Sequence, residues 1–68
     1  MTLEQAARDL HIWCQGHWWF HAVGEGKDEL IVYCRTQPPE RYAPPAEYEG
    51  FPVRVVVIGE IAPLGGYG

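Results

Sequence analysis

The sequence predicts an α+β fold, one N-terminal amphipathic helix packed on a three-stranded antiparallel or mixed sheet, in the order α-β-β-β. Two features of its 68 residues carry this expectation. Apolar residues recur at helical spacing between Leu3 and Cys14. Three later segments, rich in β-branched and aromatic residues, are then separated by glycine and proline clusters.

The helix has a start signal and a stop signal. Thr2 followed by Gln5 fits a capping box, in which the threonine oxygen accepts a first-turn amide and the glutamine reaches back. Leu3, Ala6, Ala7, Leu10, Trp13 and Cys14 form one stripe, with Glu4, Arg8 and Gln15 away from it. Gly16 can adopt the left-handed conformation that closes a helix, so the element is expected over residues 3–15.

WWFHAV then reads as a strand over 18–23, GEGKDE as a turn, and LIVYCR as a strand within 29–35, together an antiparallel hairpin. Residues 36–50 hold four of the six prolines and are expected to be an irregular connection. FPVRVVVIGEI supplies the last strand over 52–61, with a flexible tail at 63–68. No repeat or second domain is visible, so residues 1–68 are read as a single domain. The strand order stays open, because the connection is long enough for the last strand to lie beside either of the others.

Alternation of side chains gives this sheet two apolar faces. Val53, Val55 and Val57 point one way, toward the helix, and Arg54, Val56, Ile58 and Glu60 the other. On the face away from the helix, Val56 and Ile58 join Ile31, Tyr33 and Trp19, with Trp18 taking the place of Trp19 if the register shifts by one. Such a patch is either a contact surface for a protein partner or a second copy, or it is covered by the proline-rich segment with Tyr42 and Tyr48 as lids. A core this small has little stability to spare, which favours a partner.

Composition narrows the function further. Nine acidic against five basic residues give a net charge of −4 with no basic patch, which argues against nucleic acid. No apolar run approaches a membrane span, and the start lacks the pattern of a signal peptide, so the expectation is a cytoplasmic protein with reduced cysteines and no membrane partner. There is no serine, which removes a serine nucleophile.

The stretch HIWCQGHWWFH holds all three histidines, all three tryptophans and one of the two cysteines. The spacing of His11, Cys14, His17 and His21 resembles a zinc-ligand set, since imidazole and thiolate suit that metal. It lacks the paired knuckles of structural zinc sites, and the helix should end between Cys14 and His17. The plainer reading places Cys14 on the apolar stripe, His11 at its edge, His17 at the turn and His21 on a strand. A cysteine nucleophile is disfavoured, because the negative end of a helix dipole raises a thiol pKa. No catalytic residue and no cofactor are therefore expected, and GEGKD, without the rest of a phosphate-loop pattern, reads as a hairpin turn.

GEGKDELIVYCR, the prolines after it and YEGFPVRVVVIGEIAP together resemble the small N-terminal segments of bacterial trypsin-like-peptidase-related proteins. Those show a glycine-flanked turn, a short I-x-V-Y-V strand, a proline connection and an E-G-x-P-V-x-V strand. The likeness covers about residues 22–63 and implies an α+β accessory unit; no peptidase catalytic residue carries over. The functional expectation is a non-enzymatic interaction or self-association module that binds a protein partner or itself as a homo-oligomer, with a zinc-binding protein as the alternative.

Overall fold

The computed structural model describes residues 1–59. Its elements are α1 (Leu3–Cys14), β1 (Phe20–Glu25), β2 (Leu30–Cys34), a 3-10 turn (Glu40–Tyr42), β3 (Glu47–Tyr48) and β4 (Phe51–Val57). The fold is α+β, with one helix followed by a mixed sheet in the order β1-β2-β4-β3.

The capping box closes as the sequence predicts: Gln5 N–H donates to Thr2 Oγ1 at 3.1 Å, and Thr2 N–H donates to Gln5 Oε1 at 3.0 Å. Two exposed amides gain acceptors in this way. At the other end Gln15 N–H donates to the His11 carbonyl, and Gly16 takes φ +98°, so the helix stops one residue short of the expected bound. Ala6, Ala7, Leu10 and Cys14 are buried, but Trp13, expected on the same stripe, is 44% exposed.

The hairpin forms, with β1 antiparallel to β2 and the turn closed by Gly26 N–H on the Glu29 carbonyl at 2.9 Å. Its first strand starts later than predicted. Trp18 and Trp19 occupy a turn in which Phe20 N–H donates to the His17 carbonyl at 3.2 Å, so neither tryptophan follows strand alternation. A register shift then falls between Phe20 and Ala22, where Phe20 faces Cys34 and Ala22 faces Tyr33. This bulge leaves His21 unpaired and lets Phe20 and Val23, which strict alternation would separate, both join the core side.

The proline connection is more ordered than an irregular crossover. Glu49 and Gly50, at φ 52° and 86°, make a two-residue link between β3 and β4, which adds a fourth strand to the three expected. β4 lies parallel to β2 from Leu30↔Val53 to Cys34↔Val57. It begins at Phe51; the last two residues of the expected strand, 60 and 61, and the tail at 63–68 lie outside the described residues.

The core gathers Leu10, Cys14, Trp19, Phe20, Leu30, Val32 and Cys34 between α1 and the β1–β2 hairpin. Val53 and Val55 of β4 only border it, half-buried. Tyr48 ties β3 to the helix, its hydroxyl donating to Asp9 Oδ2 at 3.4 Å. Loss of solvent, and then the Asp9 carboxylate, hold that phenol above its ordinary pKa.

Candidate interaction surface

Leu30, Val32 and Cys34 face the helix, so the alternate residues Ile31 and Tyr33 must face away from it. Their parallel partners Arg54 and Val56 share that face, and Ile58 continues it. The structure therefore brings Ile31, Tyr33, Val56 and Ile58 together on one side of the sheet. Tyr33, Val56 and Ile58 are half-buried. Ile31 is only 8% exposed, although it does not belong to the core under the helix.

The positions paired with Ile31, Gly24 on β1 and Arg54 on β4, each carry a further contact. The Tyr33 ring lies across Gly24, where an added Cβ would come within 2.9 Å of Cε2. Beside Ile31, Arg54 Nη2 pairs with Glu29 Oε2 at 2.9 Å, an ion pair at the solvent edge. Such a pair contributes about 0–1 kcal/mol and mainly fixes where the apolar patch ends.

The fifth candidate is placed elsewhere. Trp19 is fully buried within the core, because the turn at 17–20 directs it inward, and Trp18 is the exposed member of the pair at 58%. The two proposed lids are also elsewhere. Tyr42 packs edge-on against Trp18, centroids 5.7 Å apart, and Tyr48 bonds to the helix, so neither covers Ile31 and Val56.

His11, Cys14, His17 and His21 stand in different surroundings. His11 and Phe20 pack in a T-shaped pair with ring centroids 5.1 Å apart, Cys14 is buried in the core, His17 stacks on Trp19 and His21 is exposed at the bulge. Among the described residues, no group of three or more His, Cys, Asp or Glu side chains is arranged to hold a metal ion. Burial, with a smaller contribution from Cys34, pushes the Cys14 thiol up to about 11, and burial raises Cys34 as well. Both are free thiols, and neither is poised to be a thiolate nucleophile at neutral pH.

An aromatic surface that sequence reasoning missed lies at the C-terminal end of α1. His17 sits 5.8 Å from Trp13 and 6.2 Å from Tyr42, while the Arg41 guanidinium lies 5.9 Å from the Tyr42 ring centre. Trp13, Trp18 and Tyr42 are all exposed there. Tyr42 comes from the proline segment, whose contact with the helix end no local pattern announces. Tryptophan, tyrosine and arginine are the residue types that carry most energy at protein contacts.

Comparison with known proteins finds no match to a family model, a curated protein or a solved structure. Among the described residues, no helix is long and apolar enough to cross a membrane.

Proposed function

We propose that this chain is a small non-enzymatic interaction module of the cytoplasm, which self-associates or docks a protein through the sheet face opposite α1. One observation supports the reading above the others: β2 and β4 are parallel neighbours, and both are apolar on both sides. Parallel strands of this composition are normally covered on each face, whereas α1 covers β1 and β2 on one side only. A partner supplying the second layer would bury Tyr33, Val56 and Ile58. The likeness to accessory segments of peptidase-related proteins is compatible with such a docking role.

Tyr33→Glu tests this face without touching the helix side. The expected result is a folded variant, with an unchanged circular-dichroism spectrum, whose self-association or partner binding falls at least tenfold. A folded variant that associates as the parent does would remove the sheet face from consideration.

A further inference from the structure

The backbone of β4 has an open edge. Ile58 N–H donates to the Cys34 carbonyl at 2.9 Å, so the amides of Arg54 and Val56 point toward β2 as well. Val53 N–H points the opposite way, to the Ala46 carbonyl at 2.9 Å, and the amides of Val55 and Val57 must follow it. β3 pairs only with Phe51 and Pro52. Among the described residues, the outward N–H and C=O groups of Val55 and Val57 thus meet no strand.

This opening has definite limits. Ala46 occupies the edge opposite Val53, and Gly59, at φ +71°, turns the chain out of extended geometry. The free window is therefore Arg54 to Ile58, centred on Val56. It contains neither proline nor glycine, and its one charge, Arg54, is paired with Glu29. Val57, at the edge, is 43% exposed. Long apolar edges of this kind are usually blunted by proline, lysine or a covering segment.

We propose that this edge joins a second copy of the chain, β4 running antiparallel to its counterpart about Val56, so that two mixed sheets become one. The inference rests on the reading of the chain as a self-associating module, but it uses the edge of β4 rather than the face. Antiparallel pairing about Val56 sets Val55 opposite Val57 of the second copy, and the reverse, with both exchanging N–H and C=O bonds. Val56 meets Val56, and Arg54 meets Ile58, so no like charges oppose each other. Ala46 stands opposite Val53, the position that residue 59 of the second copy would meet, and Gly59 leaves extended geometry at that position, so the paired stretch ends at Ile58. A symmetric window on a single strand fits an isologous contact, in which the same patch serves both copies.

The test is hydrogen exchange of the full chain at several concentrations, read residue by residue by NMR, with mass measured in parallel by sedimentation. The expected result is a species of twice 7.7 kDa in which the Val55 and Val57 amides become at least tenfold more protected as concentration rises. The Val56 amide, bonded within the chain, should be protected throughout. Val57→Pro, which deletes an outward donor only, should return the protein to a folded monomer, and Val57→Lys should do the same if the proline disturbs the strand. A dimer abolished by Tyr33→Glu, with Val55 and Val57 exchanging freely, would overturn edge pairing and leave the sheet-face reading standing. A monomer at every concentration would overturn both edge pairing and self-association, leaving the face to a different protein.

Discussion

The imidazole of His17 lies flat on the indole of Trp19, ring centroids 4.9 Å apart and planes 13° from parallel. The contact closes the core at the point where the chain leaves the helix, and it leaves Trp19 Nε1 buried without an acceptor among the described residues. Trp19→Ala would remove the largest fully buried side chain, at a cost of about 3–5 kcal/mol. A core of this size holds roughly that much net stability. The variant is therefore expected to be unfolded at 25 °C by near-ultraviolet circular dichroism, whereas His17→Ala should stay folded with a loss of about 1 kcal/mol in urea titration.

Gly24 and Tyr33 make a second paired prediction. Gly24→Val places its Cβ against the Tyr33 ring and should displace it, with a loss of about 1–3 kcal/mol. If that contact is the cause, Tyr33→Ala in the same chain should recover most of the loss, and a double-mutant cycle in urea measures the coupling.

The thiols give a pH dependence of known sign. Cys14 ionises at about 11 in the folded chain against an ordinary 9.0, so at alkaline pH the unfolded chain releases its proton first. The stabilisation from a neutral buried thiol is complete below pH 9 and is lost as the pH rises through 11. Urea midpoints should fall across that window, and Cys14→Ala should flatten the fall at the expense of lower stability at neutral pH. Both thiols should resist a disulfide reagent at pH 8 until denaturant is added.

Thr2→Ala removes one half of the reciprocal cap and is expected to cost about 1 kcal/mol. In a domain of this size that corresponds to a Tm lower by about 4–8 °C.

The helix was legible from Thr2, Gln5 and Gly16 because its start and stop are local chemistry, satisfied within one turn of the chain. The hairpin was legible for the same reason. What local pattern could not reveal came from residues that depart from strict alternation. The bulge at His21 shifts β1 by one position, and the turn at 17–20 takes Trp18 and Trp19 out of the strand, which is why strict alternation places Trp19 on the face away from the helix although it lies in the core. The short β3 was hidden because its link to β4 uses Glu49 in a left-handed conformation, where asparagine or glycine would have been the signal. Of the surface, Ile31, Tyr33, Val56 and Ile58 were readable together from period-two spacing alone. The aromatic group at Trp13, Trp18 and Tyr42 depends on a contact between distant segments and had no comparable sign.

The parallel pairing of β2 with β4 also orders events in time. The helix, its turn and the β1–β2 hairpin are made from contacts near in sequence, whereas β4 can dock only after the whole proline connection has closed. Substitutions in the hairpin, such as Val32→Ala, should slow folding, while Val55→Ala should mainly speed unfolding, with φ-values high for the first and near zero for the second. An early species consisting of helix and hairpin would expose Leu30 and Val32 along one open flank until β4 arrives, so the rate of that last step sets how long the nascent sheet stays vulnerable to the wrong neighbour.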